Sequence, residues 1–462
     1  MMDFASMVLP SSGSCKQKHV RRNLGTPVIV ALAMASIASI GGKAVAAEGD
    51  FWNVIQGFGG NLQTSERRPE PIVDKLEDLR PNKIPFRSEE MLTAIDGAFA
   101  RYQKIASSGG WPVIPGPRMI RPGDDDQRVP GLRRRLAIEG YLRSSGGGYD
   151  SFSYDGELEV AVKRFQENHG LRPSGRVDRP TLDELNISAE GRLKQLRTNA
   201  TRLQELNQMR PEERYILVNV PAFQLEAVER YEVQQRHRVI VGRNERETPN
   251  VKAMVKALNF FPYWRVPDSI GTLDLVPRLR KEPDYLDKEK IRVFSSQTAQ
   301  EMDTRVIDWN QVDPTKIKFK QDPGPQNALG LVRIDMSNEH GVYMHDTPMK
   351  KLFEQRSRNF SAGCVRVQEV FQLAEWIARL EPNWDQPGRV EQILQSGQAV
   401  DLTLSRPLPV YFAYVTAWAE PNGVVQFRPD IYNRDGVNQK HNGEVDPNEA
   451  PPAPIPQQGL AP

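Results

Sequence analysis

Leu158, Ala161, Val162 and Phe165 recur at i, i+3, i+4 and i+7, the spacing of one apolar helix face. That helix should end at His169-Gly170. Asp178 and Pro180 then open a shorter one carrying Leu182 and Leu185. Another helical stretch covers Glu89 to Ile105 and stops at Gly109-Gly110-Trp111-Pro112. Leu193, Leu196, Ala200 and Leu203 predict a linking helix before Pro211.

Beyond residue 213 the pattern changes to that of strands. Tyr215 to Val220 is β-rich, Pro221-Ala222 turns it, and Gln224 to Val228 alternates apolar with polar residues. Arg238 to Val241 ends at Gly242. Val410 to Trp418 and Val424 to Phe427 flank Pro421-Asn422-Gly423, a hairpin signal. Helices are expected near Leu273 to Arg280 and Val370 to Leu380. The segment from Asn259 to Gly330 holds its own aromatic and apolar residues (Trp264, Leu273, Leu275, Leu279, Tyr285). It is far longer than an ordinary connection, so a folded, cap-like insertion is expected there.

The two ends read differently. A basic stretch from Lys16 to Arg22 precedes an apolar run, Val28 to Ile40, and Ala44-Val45-Ala46 offers a small-residue cleavage site. That run is 13 residues, short of the roughly 20 that span a bilayer, so a cleaved export signal is expected over residues 1–47. Arg21-Arg22 leaves both general and twin-arginine export open. From residue 433 the chain is polar and Pro-rich, as in a disordered tail.

Charge changes the picture by exclusion. The formal net charge is +2, and the leader carries five Lys/Arg against one acid. The 56 basic and 58 acidic residues beyond it are nearly balanced, so nucleic acid is not an expected partner. Removing the leader also removes Cys15 and leaves Cys364 as the single cysteine, which in an oxidising compartment has no internal disulfide partner.

Cys364 lies in Ser361-Ala362-Gly363-Cys364-Val365-Arg366-Val367, nineteen residues after His345 in His340-Gly341-Val342-Tyr343-Met344-His345-Asp346-Thr347-Pro348. Thiol catalysis needs a thiolate, a nearby base and donors for an oxyanion. His345, on an expected strand, is the natural base, and His340 belongs to the loop before it. Gly363 lets the backbone approach a reacting carbonyl. A helix starting just after Cys364 would lower the thiol pKa through its N-terminus. The group orienting His345 is Asp346 or a main-chain carbonyl. The carbonyl is favoured, because adjacent strand residues point to opposite faces. Arg366 serves either a surface or structural ion pair or a substrate carboxylate. Trp264 either packs in a core or lines a groove. No Cys/His ligand cluster accompanies the site, so neither metal nor organic cofactor is expected.

These residues resemble the L,D-transpeptidases of bacterial cell walls, whose pattern is a His-bearing strand followed by Ser-x-Gly-Cys and often Arg. The matching positions are His345, Ser361, Gly363, Cys364 and Arg366. Pro262-Tyr263-Trp264-Arg265-Val266-Pro267, Pro323-Gly324-Pro325-Gln326-Asn327 with Leu329-Gly330, and Leu352-Phe353 add to a likeness with the large, multi-domain Gram-negative subgroup. Residues 128–186 resemble a peptidoglycan-binding helical domain, from Leu132 and Leu136 through Gly140-Tyr141 to Thr181-Leu182. Ala362 departs from the His that many members carry, leaving His345 as the only base.

The resemblance implies a multi-domain α+β chain: a helical scaffold (48–127), a small three-helix peptidoglycan-binding domain (128–186) and a linker helix (187–212). A mainly β catalytic domain (213–432) with the 259–330 insertion follows. It implies a periplasmic transferase in which Cys364 attacks a tetrapeptide stem and releases terminal D-alanine. His345 acts as general base and acid, with Gly363, Tyr343 and Arg366 in support. It also implies diaminopimelate in the stem, an amine of a second stem as acceptor, and covalent inhibition by carbapenem-type β-lactams. Two same-fold alternatives replace that amine by an outer-membrane protein or by water. A third, a non-catalytic wall-binding protein, is disfavoured by the intact Cys364 and His345.

Overall fold

The computed structural model describes residues 78–143, 148–208 and 212–436. The expected export segment, and the tail from residue 437 on, lie outside the described residues. No helix among the described residues is long and apolar enough to cross a membrane.

Helices come first and begin where the sequence supplies caps. Ser88 opens α1 (Glu89–Ser107), Asp155 opens α3 (Gly156–Asn168), Asp178 opens α4 (Arg179–Leu185) and Ser188 opens α5 (Ala189–Asn207). Each cap side chain accepts a hydrogen bond from a first-turn N–H that has no helical partner. Together α2 (Val129–Ile138), α3 and α4 form a small domain. Its core joins Leu132 and Leu136 to Leu158, Val162 and Phe165 and to Leu182 and Leu185, the positions the periodicity marked.

Helix α5 is more than a link. Leu196 and Leu203 lie in one buried cluster with Met91, Ile95 and Tyr102 of α1 and with Trp418. The apolar stripe of α5 has found partners on both sides, so the helix is a core element joining the scaffold to the β domain.

That domain is a nine-stranded sheet built from β1 (Arg214–Asn219), β2 (Gln224–Glu229), β3 (Glu232–Gly242), β4 (Val251–Phe260), β9 (Val332–Ser337), β10 (Met344–His345), β11 (Asn359–Ser361), β12 (Val365–Val367) and β13 (Val400–Ala413). The order is β11-β3-β12-β10-β9-β4-β13-β1-β2, and β2 also pairs with β3. The ring therefore closes on itself with β11 as a side branch, which leaves few open edges. Its interior holds Ile216, Val218, Leu258, Ile334, Met344, Val365 and Phe412, plugged by Leu373, Ala374 and Ile377 of α6 (Val370–Ala378).

The stretch expected as a single strand from Val410 to Trp418 is broken. β13 stops at Ala413, and Ala417–Ala419 forms β14, which pairs with β15 (Val425–Phe427) across the expected hairpin turn. The break is anchored by Asn199, which accepts from the Thr416 N–H at 2.8 Å.

Residues between β4 and β9 fold as a unit with its own core. A four-stranded sheet of order β5-β8-β6-β7 uses β5 (Trp264–Arg265), β6 (Ile291–Ser295), β7 (Glu301–Met302) and β8 (Ile317–Gln321). Trp264, Leu275, Leu279, Tyr285, Trp309 and Phe319 pack together beside it. The helical run preceding β6 contains a π turn over Gly271–Leu275.

Candidate active site

Cys364 stands in the short link from β11 to β12, and the link is held by hydroxyl groups. The Ser361 hydroxyl accepts from the Gly363 N–H at 3.1 Å and donates to the Cys364 carbonyl at 2.6 Å. Thr248 donates to the Gly363 carbonyl at 2.8 Å while accepting from the Gly242 N–H at 2.8 Å. Gly363 has φ +122°, a conformation closed to side-chain-bearing residues, which explains the glycine before the cysteine. Its N–H is already engaged by Ser361. Among the described residues nothing accepts from the Cys364 N–H.

The expected helix just after Cys364 is absent. Val365–Val367 is strand β12, paired with β3 and β10, and α6 starts only at Val370 after Glu369 in a left-handed conformation. The β-branched residues at 365 and 367 suit a strand between two neighbours. No helix N-terminus lowers the thiol pKa. Burial instead pushes the Cys364 thiol up to about 11, against the opposing pull of the Tyr343 main-chain N–H, the Tyr343 hydroxyl, Arg366 and Arg333.

β10 lies between β9 and β12, parallel to β12, and the Val365 N–H donates to the Tyr343 carbonyl at 3.0 Å. Register places His345 opposite Arg366 on one side and opposite Arg333 on the other. Met344 and Val365, one residue away, are fully buried in the barrel core, so His345 and Arg366 face away from it, whereas Cys364, just ahead of β12, lies in the same buried cluster as Met344 and Val365. The rings of Tyr343 and His345 meet edge-on at 5.7 Å, and the Tyr343 hydroxyl lies between Cys364 and Trp264.

The imidazole is oriented by a carbonyl. His345 Nδ1 donates to the Asp346 main-chain oxygen at 2.5 Å, whereas the Asp346 carboxylate accepts from the Leu331 N–H and pairs with Lys350. Close packing supports this arrangement, since a Cβ on Gly330 (φ +61°) would meet the Asp346 carboxylate at 2.3 Å. With the proton on Nδ1, Nε2 presents its lone pair and has no hydrogen-bond partner. The Leu329 main chain borders the ring without closing a hydrogen bond of good geometry to Nε2. Complete burial, reinforced by the Arg366 charge, drives the His345 pKa down to about 3. Thiol and imidazole are therefore both neutral at rest.

His340 lies in the exposed turn before β10, beside Glu339 at 3.5 Å. Arg366 departs from the ion-pair expectation. It is 2 % exposed, its Nε lacks a partner, and its one hydrogen bond goes to the Met349 sulfur at 3.6 Å. Desolvation brings its pKa down to about 10, and among the described residues no carboxylate pairs with it. Trp264 packs in the core of the insertion, the first of its two expected roles, and also borders Tyr343.

The insertion borders this region: Tyr343 and Ala362 pack against its core, and Cys364 is 7 % exposed and His345 fully buried. Asp274 of the π turn pairs with Arg246 at 2.6 Å and Arg243 at 3.5 Å, both in the β3–β4 loop that carries Thr248. Cavities of about 380 and 390 Å³ open on the insertion around Asp287 and Arg305, and Cys364 lines neither. Thr248, Arg333 and the Asp274–Arg246 pair had no local sequence signal, because each acts across a long stretch of chain.

Residues 213–394 match the profile of the L,D-transpeptidase catalytic domain. That region is therefore similar to an L,D-transpeptidase catalytic domain. Residues 125–185 match a second profile, described as "Putative peptidoglycan binding domain", which coincides with the α2–α4 unit. A curated relative from Haemophilus influenzae, named "Putative L,D-transpeptidase", is 31 % identical over 257 residues, 55 % of this chain. The chain spans 50 % of that relative's length. Solved L,D-transpeptidases from Xylanimonas cellulosilytica and Stackebrandtia nassauensis are 15 % and 12 % identical, covering 64 % and 63 % of this chain and 98 % and 94 % of theirs. Their TM-scores of 0.20 and 0.24 are too low to decide anything about this chain. The region similar to L,D-transpeptidases combines helices with a mostly β part and is preceded by a helical unit similar to a peptidoglycan-binding domain.

Proposed function

We propose that this chain is a peptidoglycan L,D-transpeptidase working through a Cys364 thioester. The observation that carries the proposal is the β10/β12 register. It pairs the strand bearing His345, whose Nε2 lone pair is unused, with the strand that Cys364 immediately precedes, within the region similar to an L,D-transpeptidase catalytic domain. Cys364 sulfur attacks the carbonyl of the third stem residue, and the Cys364 N–H, free of any other acceptor, holds the oxyanion. The C–N bond to terminal D-alanine breaks, and D-alanine leaves with the proton that His345 took from the thiol. A second stem's amine then attacks the thioester, gives its proton to His345, and the thiol is restored.

The neutral resting pair and the covered thiol imply that the insertion must lift before a stem can enter. In the closed state the pKa gap between thiol and imidazole opposes proton transfer. The α2–α4 unit would hold the wall strand, the carbapenem-type β-lactams would acylate Cys364, and the leader would export the chain to the periplasm.

The test is product analysis. Purified disaccharide-tetrapeptide incubated with the protein should yield cross-linked dimers and free D-alanine. Tripeptide alone would make it a hydrolase, and transfer only to a lysine-bearing protein would make it a protein-attaching enzyme. No acyl transfer of any kind would refute the proposal.

A further inference from the structure

The Cys364 N–H and the Gly363 carbonyl belong to one peptide unit. That unit is planar and trans, so the two groups point in opposite directions and holding one aims the other. The Thr248 hydroxyl holds the carbonyl, donating to it at 2.8 Å. Ser361 grips only the units on either side, through the Gly363 N–H and the Cys364 carbonyl. Among the described residues nothing accepts from the Cys364 N–H. We propose that Thr248 and, behind it, Tyr432 are positioning residues that aim the Cys364 N–H at the oxyanion of acyl transfer.

The Thr248 hydroxyl can set the carbonyl because Thr248 is itself held twice. Its hydroxyl accepts from the Gly242 N–H at 2.8 Å, at the end of β3. Its main-chain N–H donates to the Tyr432 hydroxyl at 3.1 Å, and that hydroxyl donates to the Gly242 carbonyl at 2.5 Å. One phenol therefore ties together both ends of the β3–β4 loop's grip on Gly363. The approach is close enough that a Cβ on Gly242 would run into the Arg246 carbonyl. Thr248 is fully buried and Tyr432 nearly so, which leaves these bonds without competition from water.

Tyr432 is fixed in turn, although it lies beyond β15 and far along the chain from Cys364. Its ring stacks on Tyr414, just past β13, with centroids 5.5 Å apart, and its N–H donates to the Tyr414 hydroxyl at 2.8 Å. Arg434, two residues on, pairs with Glu247 of the β3–β4 loop. The result is a continuous path of buried hydrogen bonds from this segment to the peptide unit beside the nucleophile.

The chemistry explains the value of such a path. As the Cys364 sulfur adds to the stem carbonyl, the C=O electron pair moves onto oxygen, and a donor already aimed there needs no reorganisation. A hydroxyl bonded to the Gly363 carbonyl also polarises the peptide unit and strengthens its N–H as a donor. The inference deepens the proposed function and rests on Cys364 being the nucleophile.

The experiment uses the full chain bearing C15S, so that Cys364 is the only thiol. Two reactions are compared in the parent, T248V, T248S and Y432F. One is acyl transfer from a tetrapeptide stem, with kcat and KM separated. The other is alkylation of Cys364 by iodoacetamide, which displaces iodide at a saturated carbon and builds no oxyanion. T248V keeps the shape of the side chain without its hydroxyl. It should lower kcat about tenfold or more while KM and the alkylation rate stay within about twofold of the parent. T248S restores the hydroxyl and should bring kcat back to within about threefold. Y432F removes only the phenol oxygen and should lower kcat by about threefold to tenfold, again without slowing alkylation.

Parent-like transfer in T248V overturns the inference. So does an alkylation rate that falls in step with transfer, which would make Thr248 a support of the fold or of the thiol. Failure of T248S to recover kcat counts the same way. If T248V does not fold, Y432F decides: lowered kcat with unchanged alkylation upholds the inference, and parent-like kcat overturns it. Full transfer activity in C364A would refute the proposed function itself, and the inference with it, whereas the other outcomes leave that function standing.

Discussion

Asp274 on the insertion and Arg246 in the β3–β4 loop form an ion pair of 2.6 Å at the edge of the covered site. Both side chains are partly exposed, so the pair is worth about 1 kcal/mol or less. Breaking it with D274A should shift the insertion toward an open state and speed alkylation of Cys364 by up to about fivefold. The rate is read with iodoacetamide on the C15S chain. A rate equal to that of the parent would show that this pair does not hold the insertion down.

His345 and Asp346 should separate cleanly by mutation. H345A removes the unused Nε2 and should cost on the order of 100-fold or more in acylation. D346N retains the main-chain oxygen that orients the ring and should cost less than tenfold. Its damage should appear in thermal stability, since the carboxylate serves Leu331 and Lys350. H340A, in an exposed turn, should change little. Stopped-time assays on a tetrapeptide stem rank the three, and a D346N loss matching H345A would move the orienting role to the carboxylate.

C364A should abolish acyl transfer, and C364S should nearly do so, because a serine hydroxyl gives no comparable anion at neutral pH. A carbapenem should add its mass to the parent and not to C364A in intact-protein spectra. An adduct that survives in C364A would place the reactive group elsewhere.

Stability should fall on mild acidification. Burial holds His345 and His169 down to about 3 and His237 to about 4, against 6.5 in the unfolded chain. Between 6.5 and those values the unfolded chain binds protons that the folded chain refuses, so stability is present above pH 6.5 and is lost as pH drops. At pH 5 each histidine contributes a loss of up to about 2 kcal/mol. Cys364 acts at the other end: its raised pKa removes stability as pH climbs from about 9 to about 11. Urea unfolding at pH 7 and pH 5 checks the acid limb, and equal midpoints would contradict it.

Local chemistry made much of this protein readable from its residues. The capping residue Asp178 acts on its own first turn, and the α3 stripe is a property of spacing, so neither needs the rest of the chain. Cys364 and His345 stood out as candidates for the same reason, lying in two short motifs nineteen residues apart. The insertion was legible from length and apolar content. What followed Cys364 was misread, because Val365-Arg366-Val367 gains its strand from β3 and β10 on either side, which the local sequence does not contain.

The sequence by itself determined which residues can do the chemistry and where helices begin, because those follow from side-chain type and near-neighbour spacing. Only the tertiary structure decided the electrical state of the site. Closing the sheet set Arg366 opposite His345 and buried both, which removed the water that would have screened the Arg366 charge. Those contacts join segments far apart in the chain, and the energies of buried charges depend on what surrounds them in space rather than on what precedes them in sequence.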